Sequence, residues 1–453
     1  MPWPVGRETS TMTVLPVRLP DGLILRSAIP GDRDAFASLQ SDAHKDSDGK
    51  PNAAVGAWSA ELFDRAHPTM ELADITVVED PATGALASGL TLVPQTWSYA
   101  GIRFGVGRLE LVATHADYRR RGLIGRQFDA LHERSAGRGQ LMQVITDLMF
   151  FHQEHGYHAV LTQRAGRGGW TRDLPPAPST GEPAGLRCAT AADAPFLESI
   201  DGHAGARALL TCARDRALWA YELTGRSRDN MMRDEIFVIQ QGDRPVGYAL
   251  SGYGGIPSFS IPSWLPGQPC PESVTSISGL ELAPDVSWSE ILPSVLRQTT
   301  GADGYMLWLG TDHPAYQILG DLLVRRPPDI GWFVRIPDLA AFLRHITPVL
   351  DKRLAESAFR GHTGTLRLHF YTFGLRLQFQ DGKVADIDRW PEHTRRSSDA
   401  SMPVAMFLSL LLGHAELGEL APAYVDHRLQ TQLAAALLTT LFPKLPSQIW
   451  PVI

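Results

Sequence analysis

The fold of this chain is decided by residues 107–125, which read GRLELVATHADYRRRGLIG. Polar and apolar residues alternate over Gly107–Ala113, as they do in a half-buried strand. Leu123, Phe128 and Leu131 follow at positions that suit one face of an amphipathic helix. The stretch therefore predicts a strand that passes through a basic turn into the first turn of a helix.

The junction between this strand and helix is suited to bind an anion. The first backbone N–H groups of a helix have no partner within the helix, and the helix dipole favours negative charge there. Gly122 lets a ligand approach the backbone, and Arg119, Arg120 and Arg121 add positive charge. The stretch lacks the Gly-Lys-Ser/Thr ending of a phosphate loop and the three glycines of a dinucleotide fold. It predicts a pyrophosphate-binding turn of another kind.

The composition is that of a globular protein with several domains. The chain has 453 residues, 44% of them hydrophobic and 20% charged, for which about three domains are expected. The net charge of −7 argues against a nucleic-acid partner. Three scattered cysteines favour a reducing compartment over a disulfide framework or a zinc site. Met1–Thr13 does not resemble a signal peptide, and the longest apolar run, Val404–Leu412, is too short to cross a membrane. We therefore expect a cytoplasmic protein.

Two breaks in the hydrophobic pattern divide the chain into three units. The first combines Gly166–Gly169 with the proline-rich stretch Pro175–Pro178, and the second is Arg325–Pro328. Strands and helices are predicted in all three units, which indicates a mixed α/β fold class. The predicted units are residues 1–172, 180–325 and 330–453.

The second unit repeats the beginning of the first. Leu186–Asp193 matches Leu25–Asp32 at leucine, arginine, alanine and aspartate with identical spacing. The strand predicted at Ser276–Leu282 corresponds to the strand at 107–113, but it runs into Ala283–Asp285 with no basic glycine turn. The second unit is therefore predicted to be structural.

The basic turn resembles motif A of the GNAT acetyltransferases, Arg/Gln-x-x-Gly-x-Gly/Ala, which binds the pyrophosphate of acetyl-CoA. Arg119 and Gly122 match its first two marked positions. Ile124 stands where the family usually has glycine or alanine, and Gly125 comes one residue later. The resemblance implies that acetyl-CoA is the co-substrate.

The whole chain resembles the Eis (enhanced intracellular survival) family. The resemblance rests on the basic turn, the segment ending His155-Gly156-Tyr157, and the stretch Trp332–Arg335. It implies two tandem GNAT folds, the second degenerate, followed by a sterol-carrier-protein-like domain. It further implies a homo-oligomer, often a hexamer, and transfer of an acetyl group to a small amine. The cofactor-binding residues implied by the GNAT fold are Val112 and Thr114 for the pantetheine, and Arg119, Arg120, Arg121, Gly122, Leu123 and Gly125 for the pyrophosphate.

The resemblance implies a general acid at position 152. Family members carry Phe-Tyr-x-x-Phe-Gly-Tyr after the fifth strand, and the first tyrosine protonates the leaving thiolate. Residues 151–157 read FHQEHGY here, so His152 takes that position. An imidazole titrates at about pH 6.5, so activity would titrate near neutrality. The alternative is that His152 is a neutral polar residue on a helix.

Two carboxylates are candidates for the general base. The family uses the chain terminus, here Ile453. Glu110 lies two residues before Val112, and hence on the same face of a regular strand. The alternative is that Glu110 is a solvent-facing strand residue and not the base.

Two functions of different classes follow from these residues. The first is an acetyl-CoA-dependent N-acetyltransferase that acts on a small, cationic acceptor such as a polyamine or an aminoglycoside. The second is a non-catalytic protein that binds an acyl-CoA or an apolar ligand and has lost the general acid. His362, His369, His414 and His427 show no ligand spacing, so no metal is expected.

Overall fold

A computed structural model describes residues 15–46, 48–146, 149–252, 274–299, 303–327, 330–391 and 394–449. Ile453 lies outside the described residues. The fold is mixed α/β with three sheets among the described residues, as predicted. Within the same ranges, none of the helices has both the length and the apolar character needed to span a membrane.

The strands follow one another along the whole chain. They are β1 Val17–Arg18, β2 Ile24–Ser27, β3 Ile75–Glu79, β4 Leu86–Tyr99, β5 Ile102–Thr114, β6 Met142–Ile145, β7 His158–Arg164, β8 Arg167–Trp170, β9 Gly185–Cys188, β10 Leu210–Cys212, β11 Asp234–Gln241, β12 Arg244–Gly252, β13 Val274–Leu282, β14 Gly304–Leu307, β15 Ile330–Arg335, β16 Gly364–His369, β17 Gly374–Gln380, β18 Lys383–Arg389, β19 Ala400–Ser401 and β20 Arg428–Leu429.

Helices cover the faces of these sheets. They are α1 Arg33–Ala43, α2 Ala53–Asp64, α3 Leu123–Gly137, α4 Met149–Glu154, α5 Ala194–Gly205, α6 Arg216–Thr224, α7 Trp288–Thr299, α8 Pro314–Leu319, α9 Leu339–His345, α10 Thr347–Ala355, α11 Val404–Leu411, α12 Leu417–Leu420 and α13 Gln432–Leu441.

The first sheet has the order β1-β2-β3-β4-β5-β6-β15-β7, with β10 added beside β4. Its neighbouring strands run antiparallel except for β5 and β6, which run parallel. One face packs on α1 and α2, where Phe36 and Trp58 are buried. The other packs on α3, where Phe128 and Leu131 are buried. The basic turn lies at the start of α3.

Two strands cross the predicted boundaries between units. β8 pairs with β14 in the second sheet, although it was expected to close the first unit at residue 172. β15 pairs with β6 and β7 in the first sheet, although residues from 330 onward were expected to form the third unit. Trp332 and Val334 are fully buried there, because they pack on one face of the sheet against Phe342 and Leu343, while Phe333 packs on the other face. The first sheet is therefore completed by a strand from late in the chain.

The second sheet repeats the topology of the first. Its order is β8-β14-β13-β12-β11-β9, and β13 pairs in parallel with β14 as β5 does with β6. Arg26 donates from both terminal nitrogens to Asp32, at 2.6 and 2.8 Å, and Arg187 donates in the same way to Asp193, at 2.8 and 2.6 Å. The spacing of arginine and aspartate that the two units share thus corresponds to the same bidentate ion pair at each strand-to-helix entry.

The third sheet, β18-β17-β16-β19-β20, is covered by helices from α9 onward. Its core is continuous with that of the first sheet: Trp97 and Trp332 belong to the same buried cluster as Phe342, Leu377 and Leu408. This unit therefore shares a hydrophobic core with the first sheet.

Candidate active site

In the middle of the first sheet, the pairing of β5 with β6 ends early and leaves one edge of β5 without a described strand partner; we call this place the cleft. Their pairing covers only Val106–Arg108 on β5 and Met142–Val144 on β6. β5 continues for six residues beyond Arg108, to Thr114, so this part of its backbone is not paired with β6. An unpaired strand edge of this kind can hydrogen-bond an extended ligand as an added strand.

A β-bulge at Leu111 reverses the side chains of β5 at this cleft. Leu111 has φ +54°, and the register against β4 shifts between Gly89 and Thr91. Leu109 and Val112 both pack towards α3, whereas Leu111 packs towards α1 and α2. The expectation that Glu110 and Val112 share one face is therefore wrong, because the extra residue of the bulge interrupts the alternation.

The basic turn adopts a conformation that presents backbone N–H groups to a ligand. Arg120 has φ +63° and Gly122 has φ +71°, both left-handed. Gly122 is the N-cap residue of α3, and no side-chain hydrogen bond caps the helix there. Arg119 and Arg121 are exposed beside it. Successive amides in such a turn form a concave anion site, and the helix dipole adds to it.

The turn is held by its own side chains. Arg119 Nε donates to the carbonyl of Thr114 at 3.3 Å, and Arg121 donates to the carbonyl of Asp117 at 3.2 Å. Arg121 also lies over the ring of Tyr118, 5.0 Å from its centroid. These contacts attach the turn to the end of β5 and leave its outer surface positively charged.

Gly125 lets His155, the residue that follows α4, approach the first turn of α3. A Cβ atom on Gly125 would lie 3.3 Å from Cε1 of His155, which is a tight contact. The glycine that follows Ile124 thus makes room for a neighbouring side chain, a role that its displaced position in the motif did not reveal.

His152 lies on α4 inside an aromatic cluster and is 1% exposed. Its ring is within 6.0 Å of the rings of Phe128, Phe151 and Phe333, centroid to centroid. It hydrogen-bonds the backbone of Thr146, and its Nδ1 has no hydrogen-bond partner among the described residues. Burial lowers its pKa to about 4. This burial argues against a titration of His152 near neutrality, because a poorly solvated imidazole binds a proton less readily.

We predict that His152 makes the protein less stable in acid. Below about pH 6.5, His152 binds a proton in the unfolded state. In the folded state, where its pKa is about 4, it binds that proton only at lower pH. The unfolding free energy should therefore decrease over this window, by at most about 3 kcal/mol from this residue. In chemical denaturation at pH 7 and pH 4.5, His152→Phe should show a smaller loss than the wild type.

The matched control for this prediction is His203→Phe, which removes an exposed histidine on α5. Its loss of stability between the two pH values should equal that of the wild type. An identical loss in His152→Phe would show that His152 ionises freely in the folded protein. A neutral imidazole has no imidazolium proton to give to the thiolate. His152→Phe should therefore also change kcat little at pH 7.

Glu110 lies on the opposite side of the sheet from α3, in a buried ion pair. Arg108 Nε donates to Glu110 Oε1 at 2.6 Å, and its guanidinium lies 4.8 Å from the ring centroid of Trp332. Burial lowers the pKa of Arg108, and the pairing with Glu110 opposes this effect. Glu110 is therefore a partner of Arg108 and not a solvent-facing strand residue.

Sequence reasoning missed Arg108 and Trp332 as residues of this site. Arg108 stands in an alternating strand where a charged residue is ordinarily exposed, yet it is 3% exposed. Its aromatic partner comes from β15, more than two hundred residues later in the chain. The available signal was an arginine and a glutamate two residues apart on one strand, which indicates an ion pair. That this pair is buried follows only from the position of β15.

Comparison with known proteins agrees with this geometry. Residues 25–157 match a family model described as an acetyltransferase (GNAT) domain. The comparison with curated protein sequences found no match.

The fold of the whole chain is found in solved structures. A probable N-acyltransferase from Enterococcus faecalis is 12% identical with a TM-score of 0.65, and the match covers 95% of this chain and 99% of that one. A GCN5-related N-acetyltransferase from Anabaena variabilis is 13% identical with a TM-score of 0.63, covering 94% and 99%. Eis1 from Mycobacterium abscessus is 16% identical with a TM-score of 0.59, covering 93% and 97%.

The chain therefore contains a GNAT acetyltransferase domain, in which the partly unpaired strand β5 leads into the basic turn. By this domain match it is an acyltransferase.

Proposed function

We propose that this protein is an acetyl-CoA-dependent N-acetyltransferase whose acceptor is a small, cationic amine. The observation that carries the proposal is the combination of the partly unpaired strand β5 with the left-handed turn at Arg120–Gly122. An extended thioester arm and a diphosphate need these two features side by side. The match of residues 25–157 to a GNAT domain supports the same reaction.

Acetyl-CoA would lie along the cleft with its diphosphate at the start of α3. Backbone groups near Val112 and Thr114 would pair with the pantetheine amides. Arg119, Arg120 and Arg121 and the amides of Gly122, Leu123 and Gly125 would hold the diphosphate. The exposure of the three arginines and the uncapped start of α3 support this assignment.

The chemistry needs two proton movements. The neutral amine attacks the thioester carbonyl carbon, the C–S bond breaks, the amine nitrogen loses a proton and the thiolate of CoA gains one. We propose that Glu110 accepts the proton of the amine. Its carboxylate is on the sheet face opposite the basic turn, and an amine can approach the thioester from that face. We assign the protonation of the thiolate to solvent, because burial lowers the pKa of His152 to about 4 and its ring is already hydrogen-bonded to the backbone of Thr146.

A cationic acceptor is supported by the charges beside α2. A groove of about 560 Å³ lies between α2 and residues 227–229 of the second unit. It is lined by three carboxylates, Glu61, Asp64 and Asp229, and by two arginines, of which Arg33 is paired with Asp64. This groove adjoins the helices that cover the same face of the sheet as Glu110.

An Eis-like assignment is the finer form of this proposal. It is supported by two repeated sheets followed by a third, and by a likeness of fold that extends over 93% of the chain. A homo-oligomer and a sterol-carrier-protein-like last domain belong to the same proposal.

The alternative of an apolar ligand in the last unit finds less support. A pocket beside α9, lined by Leu339, Phe373 and Leu375 among others, has a volume of about 20 Å³. This volume is close to what one water molecule needs.

The test of the proposed function is acetyl transfer to a panel of polyamines and aminoglycosides. Release of CoA thiol, with an increase in acceptor mass of one acetyl group, is the expected result for at least one amine. Fully N-acetylated versions of the same compounds should give no release. Binding of acetyl-CoA without transfer to any amine would favour the non-catalytic alternative.

A further inference from the structure

A buried carboxylate in the second unit occupies the position that Glu110 has in the first. Both units carry Leu-Glu-Leu on the first strand of their parallel pair, at 109–111 on β5 and 280–282 on β13. Glu281 is 0% exposed, and Tyr248 is opposite it on β12 as Thr91 is opposite Glu110 on β4. The residue is equivalent in topology but has different partners.

Three segments of the chain meet at Glu281. Arg207, after α5, donates to Oε2 at 2.6 Å, and Gln448, near the chain end, donates from Nε2 to Oε1 at 2.8 Å. Nε2 of His313, the N-cap residue of α8, lies 3.4 Å from Oε1. Burial alone would raise the pKa of Glu281, but His313 and Arg207 hold it below the ordinary value. The carboxylate is thus charged and connects the second unit to the C-terminal segment.

The C-terminal segment, residues 445–449, lies against the first sheet. The amide of Leu209 donates to the carbonyl of Pro446 at 2.7 Å, and the amide of Gln448 donates to the carbonyl of Leu210 at 2.9 Å. Gln448 and Thr211 form a parallel bridge, so the segment runs beside β10. β10 in turn pairs with residues 97–99 of β4. The segment is therefore separated from β4 by one strand.

This position brings the segment to the neighbourhood of the Arg108–Glu110 pair. Cys212, the last residue of β10, is opposite Trp97, whose ring centroid is 5.8 Å from that of Trp332, the ring that Arg108 lies over. Because Gln448 is bridged in parallel to Thr211, Ile449 follows it in the direction of Cys212. The described chain thus ends on the side of the sheet where we place the acceptor.

We propose that Glu281 is a positioning residue that holds the C-terminal segment, through Gln448, at the acceptor side of the first unit. The second unit has no basic glycine turn, and in this proposal its contribution to acetyl transfer is this attachment. The effect on the acceptor rests on the proposed function, whereas the attachment itself does not.

The test uses the full chain with Glu281→Gln, Gln448→Ala and the double variant. The control is Asp193→Asn, which alters another largely buried carboxylate of this unit that is paired with an arginine, Arg187, at the entry to α5. The first readout is tryptic cleavage after Lys444, whose side chain is half exposed at the start of the segment. The second is the KM for the amine compared with the KM for acetyl-CoA.

Both single variants should be cleaved after Lys444 about tenfold faster than the wild type, since a hydrogen bond to a charged group is lost. The double variant should be no faster than the faster single variant, because both remove the same contact. The KM for the amine should rise about tenfold with the KM for acetyl-CoA unchanged. Asp193→Asn should resemble the wild type in all three quantities.

Unchanged cleavage in Gln448→Ala would overturn the attachment, whether or not an amine substrate is known. Faster cleavage with an unchanged KM for the amine would overturn the role at the acceptor side. If no amine is acetylated by the wild type, the proposed function fails, and the cleavage experiment still decides the attachment.

Discussion

Replacing Gly122 by aspartate is expected to weaken acetyl-CoA binding by roughly 10²-fold, because it places a negative charge beside the diphosphate. Gly122 is exposed, and an added Cβ would meet no atom within 4 Å, so the variant should fold. Its φ of +71° disfavours most residues, but aspartate tolerates the left-handed region better than they do. The dissociation constant from calorimetric titration is the measurement.

Gly139→Asp is a closely matched control for this change. Gly139 follows the other end of α3, has the same φ of +71°, and is equally open around its Cβ position. The two variants therefore carry the same backbone strain and the same added charge. Equal affinities for acetyl-CoA in both would mean that the turn before α3 does not hold the diphosphate.

Glu110→Gln is expected to lower kcat by about 10²-fold, the low end for loss of a general base. The KM for acetyl-CoA should stay the same, because Glu110 is on the face of the sheet opposite to its neighbour Leu109, which packs towards α3 and the basic turn. The amide keeps a hydrogen-bond acceptor for Arg108, which limits the cost of leaving that buried arginine without its anion. Steady-state kinetics with an amine substrate measure both parameters.

Glu79→Gln provides the comparison for Glu110. Glu79 is on β3 of the same sheet and accepts a hydrogen bond from Arg26 at 2.7 Å. Glu79→Gln should leave kcat unchanged. If Glu110→Gln is also folded and fully active, its carboxylate only neutralises Arg108, and the proton of the amine leaves by another route.

The strand, turn and helix of residues 107–125 could be predicted because their signals are local. Alternation sets the strand, Gly122 permits the left-handed turn, and the apolar spacing sets α3. The repeat of Arg26 and Asp32 was visible for the same reason, since both residues act within one strand-to-helix entry.

The faces of β5 could not be predicted, because nothing in the local pattern indicates the bulge. Leu111 is a γ-branched residue with a positive φ, which sequence statistics do not favour. Its conformation follows from the pairing with β4 and the early end of the pairing with β6, both of which depend on distant segments. The wrong assignment of Glu110 and Val112 to one face resulted from this.

The position of β15 was missed for a related reason. An apolar strand such as Ile330–Arg335 can pair with any sheet that offers two free edges, and its sequence does not say which. The proline-rich break before it suggested a new unit, whereas the structure places the strand between β6 and β7. The enclosure of Arg108 by Trp332 depends on that placement.

The central claim is that acetyl-CoA binds in the first unit alone, at the cleft and basic turn. Calorimetric titration of the full chain with acetyl-CoA tests it most directly. We predict one site per chain in the wild type and in Gly139→Asp, and a loss of that site's affinity in Gly122→Asp. Two equivalent sites per chain, or one site that Gly122→Asp leaves unchanged, would contradict the claim.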